Sequence, residues 1–243
     1  MRIKIEFETE KEQLPIEYRK KFLSYLKGTI QDYNLELFDA MYGTGNSTKP
    51  FCSSVYFLPE VIIAKDGITL NSKRFAVRFT TPDVFMGVHL INAFMARRNK
   101  WFSLADYDNK LKVVSICKLE EQKINGNTAM VKILSPIIVR DHNEETGKDW
   151  YLVFGDEDFE RVWKRNLKAE VKTVFGRDVS SDIDALKIMP VNLKKTVVKN
   201  YGIFIPCTIG SMALEGETYL LEYLYKAGIG SRRSMAFGYI EVV

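Results

Sequence analysis

Hydrophobic periodicity switches between about two and about 3.6 residues in the same order twice along the chain, and this order constrains the fold more than any other feature. Residues 2–8 alternate strictly. Ile3, Ile5 and Phe7 fall on one side and Arg2, Lys4, Glu6 and Glu8 on the other, as in a half-buried strand. Pro15 suits the first turn of a helix on which Tyr18, Phe22, Leu26 and Ile30 recur every fourth residue, with Lys20, Ser24, Lys27 and Gln31 as a polar stripe. A loop at 42–49, rich in glycine and small polar residues, leads to strands at 51–57 and 75–79 separated by a Lys65-Asp66-Gly67 turn. Thr81 and Pro82 cap and open a second helix with Val84, Val88, Ile91 and Met95 as its apolar face, and 111–119 reads as a strand.

The order then repeats. Residues 130–139 are apolar and β-branched, Asp156 caps a helix with Phe159, Val162, Trp163, Leu167 and Val171 inward, and Gly176 ends it. Strands follow at 185–193 and 196–209, then a helix at 217–227 with Leu220, Leu221 and Leu224 inward, and a last strand at 235–243. The expected fold is α+β: two tandem ferredoxin-like βαββαβ units with antiparallel sheets, 1–125 and 126–243.

Composition sets outer bounds. With 46% hydrophobic and 27% charged residues, the 243-residue chain can bury a core and is not disordered. A net charge of +4 permits nucleic acid as a partner without requiring it, so an RNA surface has to come from local clustering. No run approaches the ~20 apolar residues of a membrane span, and the amino terminus lacks the apolar run of a signal peptide, so a cytoplasmic protein without a membrane partner is expected. Cys52, Cys117 and Cys207 are odd in number and far apart, which suggests reduced, buried thiols. With His89 and His142 as the two histidines and no CxxC, neither a metal site nor a cofactor is expected.

The segment from Gly228 to Gly238 carries the most chemistry. Gly228, Gly230 and Gly238 allow close backbone approach to an anion, and Arg232 and Arg233 can fork onto phosphates. The loop follows a helix and precedes a strand, which is the wrong context for a nucleotide phosphate loop. From these residues alone, a helix cap with a turn and two solvated arginines stays open beside a phosphate cradle.

The segment resembles the glycine-rich loop before the last strand of the CRISPR-associated repeat endoribonucleases of the repeat-associated mysterious protein superfamily. Gly228, Gly230, Arg232, Arg233, Phe237 and Gly238 match the pattern, and Ala236 stands where the family usually has glycine. Residues 134–140 (LSPIIVR) and 194–199 (KKTVVK) resemble two further segments of that family, in the correct order. The resemblance implies binding of CRISPR repeat RNA, with the glycine loop and its Ser231 as one contact; Lys20 and Lys27 on one helix stripe, and Lys194, Lys195 and Lys199 if they share a face with the two arginines, are candidate additions, and ordinary solvated charge stays open for all five lysines. It also implies metal-independent attack of a 2′-hydroxyl on the scissile phosphate, leaving a 2′,3′-cyclic phosphate and a 5′-hydroxyl. Other CRISPR effector subunits and a second copy of the chain are further partners it leaves open.

Such chemistry needs proton-transfer groups and cations for the phosphorane. Many members of the family carry a histidine between the first helix and the second strand, and here that segment has none. Tyr42 and Lys49 are the candidates there, Tyr42 on condition that cations depress its pKa. The alternatives are an aromatic flank and a solvated lysine. His142, in an apparently polar loop, is a third candidate, whereas His89 beside an apolar helix face suits packing. An endoribonuclease, a non-cleaving RNA-binding subunit and an unrelated ferredoxin-like module remain open, the last requiring three accidental matches.

Overall fold

A computed structural model describes residues 1–43, 48–59, 61–172 and 174–243. The chain forms two compact units, Met1–Glu121 with Lys199–Ile203, and Gln122–Val198 with Phe204–Val243.

The first unit runs β1 (Arg2–Thr9), β2 (Gln13–Leu14), α1 (Tyr18–Tyr33), α2 (Leu35–Tyr42), β3 (Cys52–Phe57), β4 (Ile62–Ile63), β5 (Ile68–Thr69), β6 (Arg74–Thr80), α3 (Val84–Ala96), β7 (Trp101–Ser103) and β8 (Lys110–Leu119). Its main sheet has the order β3-β6-β1-β8-β7 with antiparallel pairs. Leaving β7 aside, the second, third, first and fourth strands of a βαββαβ unit lie side by side, the ferredoxin-like arrangement. The alternation of β1 places Ile3, Ile5 and Phe7 in the core, worth about 2 kcal/mol each. Phe7 meets Phe22 and Phe94 edge-on at 5.8 and 5.9 Å and stacks on Phe75 at 5.2 Å.

Three features of this half differ from the sequence expectation. Asn34 ends α1 and starts a separate helix, its side-chain oxygen accepting from the Leu37 amide at 2.8 Å. At α3 the cap is Asp83, not Thr81, since its carboxylate accepts from the Phe85 and Met86 amides. The expected inward face fails at three of its four residues: Met86, Leu90, Ala93 and Phe94 are buried, while Val84, Val88 and Met95 are exposed and Ile91 alone of that set is partly buried against the core. This helix is apolar on both faces, so periodicity cannot choose between them. On the buried face Gly87 lets the Met1 side chain approach, where a Cβ would stand 2.6 Å from the sulfur.

The rest of the chain runs β9 (Thr128–Ile133), β10 (Val139–His142), β11 (Asp149–Leu152), α4 (Phe159–Val171), α5 (Ser180–Ala185), β12 (Lys187–Pro190), β13 (Lys194–Asn200), β14 (Ile203–Ile209), β15 (Ser211–Glu215), α6 (Thr218–Ala227), a 3₁₀ turn at Arg233–Met235 and β16 (Ile240–Val242). The antiparallel sheet β12-β15-β9-β16 repeats the ferredoxin-like order. All five expected inward residues of α4 are buried.

The strand expected at 130–139 is broken. The Leu134 and Ser135 amides turn to the Tyr239 carbonyl, Pro136 has no amide to donate, and β10 pairs with β11 instead. The strand expected at 196–209 is the hairpin β13–β14, and β15 takes the third place in the sheet. Asp158 occupies the cap position of α4, while Asp156 accepts from the Val153 amide at 2.8 Å. The chain expected to extend at 235–243 first makes the 3₁₀ turn. Cys52 and Cys207 are buried and outside any disulfide, whereas Cys117, expected inside, is exposed near the end of β8. No described helix is long and apolar enough to cross a membrane.

Candidate functional site

The amphipathic helix α6 delivers the glycine loop. Gly228 ends it, its amide donating to the Leu224 carbonyl at 2.8 Å. The loop then ties itself to its own unit: Ile229 N–H donates to Gly238 O at 2.8 Å, Gly238 N–H to Pro136 O at 2.9 Å, and Ser231 N–H to Ile138 O at 2.7 Å. These amides face the chain's own carbonyls and not an anion. The glycines serve close packing. With φ of +82° and +73°, Gly230 and Gly238 would carry a Cβ only 2.3 Å from Ile138 O and 2.0 Å from Ile229 O. Phe237 also departs from the expected RNA contact. It is fully buried against Ile138, Ile205 and Cys207. Ala236 holds φ 61° in the left-handed region, a conformation easier for the glycine usual in the resembling family.

The two arginines part company. Arg233, expected on phosphate, is 7% exposed and lies 2.7 Å from Glu170 Oε1, which also accepts from the Tyr223 hydroxyl. Its other terminal nitrogen donates to the Gly228 carbonyl at 3.3 Å. That guanidinium is an internal brace. Arg232 turns the other way, half-buried, with NH2 2.5 Å from the Tyr151 hydroxyl and 3.5 Å from Asp149. Its charge also lies 5.3 Å from the centre of the Tyr151 ring.

Asp149 is the hub of this end of the unit. The antiparallel register of β10 and β11 sets Arg140 opposite Tyr151 and His142 opposite Asp149. Asp149 Oδ1 lies 2.7 Å from His142 Nδ1, while Oδ2 meets Arg140 at 3.3 Å and accepts from the Tyr151 hydroxyl at 3.1 Å. Burial works against its charge, but His142, Arg140, Tyr151 and Arg232 outweigh it and hold the carboxyl below its ordinary 3.8. His142 is thus the exposed end of a strand, oriented by a carboxylate, and not part of an irregular loop. Sequence reasoning missed Arg140, Asp149 and Tyr151. The available signal was a short hairpin, two polar-rich strands around Asn143 and Gly147, whose pairing brings those residues together.

In the first unit, Lys27 Nζ and Lys49 Nζ lie 4.7 and 5.1 Å from the centre of the Tyr42 ring, so the expected pair meets and a third residue joins it. The Tyr42 hydroxyl is buried with no hydrogen-bond partner among the described residues. Burial pushes it well above the usual tyrosine range, against the expectation that nearby cations depress it. Burial first, and the Lys27 charge second, pull Lys49 below its ordinary 10.5. Residues 44–47, Gly45 among them, lie outside the described residues. Lys20 is exposed on α1, 5.4 Å from the Tyr201 ring of the same unit. Lys194, Lys195 and Lys199 are exposed on β13, but alternation sends Lys194 to the opposite face from the other two. His89 is partly buried, Nδ1 3.2 Å from the Tyr33 hydroxyl. Among the described residues no group of three or more His, Cys, Asp or Glu could hold a metal ion.

Three comparisons bear on this arrangement. The family model described as CRISPR associated protein Cas6, C-terminal, matches residues 119–242. The chain is 22% identical over 246 residues to a protein of Methanocaldococcus jannaschii named CRISPR-associated endoribonuclease Cas6 1, covering 99% of this chain and 92% of that protein. In fold it is similar to a structure described as a Cas6-related gene from Pyrococcus furiosus, with TM-score 0.85, 19% identity and 100% and 98% of the two chains covered. It is also similar to one described as an RAMP protein binding different RNA substrates, with TM-score 0.84, 18% identity and 100% and 99% covered.

Proposed function

The chain belongs to the family described as CRISPR associated protein Cas6, C-terminal, and from this membership we propose that it binds CRISPR repeat RNA and cuts the precursor transcript without a metal ion. The 2′-hydroxyl beside the scissile phosphate attacks phosphorus and the P–O5′ bond breaks. The products are a 2′,3′-cyclic phosphate and a 5′-hydroxyl.

The observation that carries this reading is the charge around Asp149. One carboxylate serves the guanidinium groups of both Arg140 and Arg232, so positive charge outnumbers it at a partly exposed surface beside the loop that resembles the family's RNA loop. A backbone phosphate suits that imbalance, because guanidinium groups fork onto phosphate oxygens. Lys27 and Lys49 supply a second cationic place, in the first unit, where Tyr42 can stack against a base or sugar. Of the two proton-transfer candidates in the first unit, Tyr42 stays protonated at neutral pH and is no base, while Lys49 has its proton loosened by burial and by Lys27.

A second reading, a repeat-RNA-binding subunit that does not cut, is favoured by the buried Tyr42 hydroxyl and by the lack of a histidine between α1 and β3. Incubation of labelled repeat RNA with the protein in EDTA separates the two. Cleavage with a cyclic phosphate end supports the first, a gel shift without cleavage supports the second, and neither result sinks both.

A further inference from the structure

His142 has what a proton-transferring imidazole needs, and the needed groups all come from the second unit. Asp149 accepts from Nδ1–H at 2.7 Å, which fixes the ring and leaves Nε2 as the basic nitrogen on an exposed side chain. The carboxylate is itself held by Tyr151 at 3.1 Å and by Arg140 at 3.3 Å. Arg232 reaches the same oxygen from the glycine loop, and the Arg140 amide lies 3.4 Å from Ser231 Oγ, so loop and hairpin are fastened together. From α4, Arg165 occupies Asp141 at 2.8 Å and Asn166 donates to the Arg140 carbonyl at 2.7 Å. Those contacts fix the strand that carries His142.

We propose that His142 and Asp149 form the proton-transfer pair of an RNA-cleaving centre contained in the second unit, with Arg140 and Arg232 stabilising the phosphorane. This rests on the RNA-cutting reading above and names the residues that perform it. His142 Nε2 takes the proton of the attacking 2′-hydroxyl as O2′ bonds to phosphorus. The P–O5′ bond breaks, O5′ takes a proton from water, and His142 returns its proton to the hydroxide so formed. Nothing is oxidised or consumed. The guanidinium groups face charge that grows in the transition state, which is where preorganised cations act. Asp149 is a positioning residue, since it acts through the imidazole and the arginines.

The test is single-turnover cutting of labelled repeat RNA in EDTA by the full chain, with binding and thermal melting measured alongside. His142→Gln should lose about 10²–10⁴-fold in rate with affinity within a few fold, and imidazole in the buffer should restore part of the rate of His142→Ala. Asp149→Asn removes the carboxylate that orients the ring, so the cutting rate at saturating RNA should fall about tenfold or more while KM stays near that of wild type. Arg140, Tyr151 and Arg232 beside Asp149, and Asp141 and Arg165 beside the strand, are unchanged in that comparison. If wild type cuts and His142→Gln cuts equally fast, the proposal is overturned while the RNA-cutting reading stands. If wild type binds repeat RNA and leaves it intact, both fall together.

Discussion

Arg233 and Arg232 are adjacent in sequence, and the structure predicts that their alanine variants fail in different ways. Arg233→Ala removes a charge-assisted bond of 2.7 Å to Glu170, worth about 1.5–3 kcal/mol, and a weaker 3.3 Å bond to the Gly228 carbonyl, worth about 0.5–1 kcal/mol. The sum, about 3 kcal/mol, agrees with the low end of the cost of breaking a buried ion pair, as it should when Glu170 keeps the Tyr223 hydroxyl. At about 4 °C per kcal/mol, the melting transition of the second unit should fall by ~12 °C. Arg232→Ala should cost about 1 kcal/mol or less, because that side chain is partly solvated. Its loss should appear in RNA titrations as a salt slope smaller by ~0.7–1, the value for one phosphate contact. The double variant should show the same slope change, where two exposed arginines would give twice as much. Calorimetry with titrations at several salt concentrations measures both quantities. An Arg233→Ala protein that melts like wild type, or that lowers the salt slope as Arg232→Ala does, would falsify the assignment of Arg233 to the loop's interior.

Other outcomes follow from the same geometry. Tyr42→Phe removes a buried hydroxyl without a described partner, so melting should stay level or rise by about 1 kcal/mol; a clear drop would reveal a partner for that oxygen. Gly230→Ala should destabilise the second unit and abolish RNA binding with it, since the new Cβ meets Ile138 O at 2.3 Å with φ at +82°; wild-type melting would contradict the loop packing. Because the Asp149 carboxyl is held below its ordinary 3.8, its contribution to stability is full above that value and is lost as pH falls through the lower folded value. Asp149→Asn should therefore flatten the acid side of the stability profile, and an unaltered profile would show that the carboxylate has no net role in folding.

Local pattern revealed much of this architecture and failed where tertiary packing decides. The alternation of β1 and the single apolar face of α4 each admit one burial choice, and both are legible. The helix α3 offers two apolar faces, and only packing of Met86, Leu90 and Phe94 into the core of the folded unit selects one. The glycine loop was legible as a loop with a special backbone, but its direction was not. Arg232 and Arg233 are equivalent in any pattern, and only the folded turn sends one to Glu170 and the other to Tyr151. His142 and Asp149 are seven residues apart, and nothing marks them as partners until β10 and β11 pair. The lysine pair around Tyr42 was half visible. Tyr42, expected in a loop, ends α2, Lys49 follows it by seven residues, and Lys27 arrives from α1.

The chemistry at the 3′ end of the cut RNA tests the proposed reaction most directly. Repeat RNA incubated with the full chain in EDTA should yield a 5′ fragment whose mass corresponds to a 2′,3′-cyclic phosphate, and a substrate with 2′-deoxyribose at the scissile position should bind and remain whole. A cut that requires added metal, or that proceeds at the 2′-deoxy site, would contradict the proposed reaction.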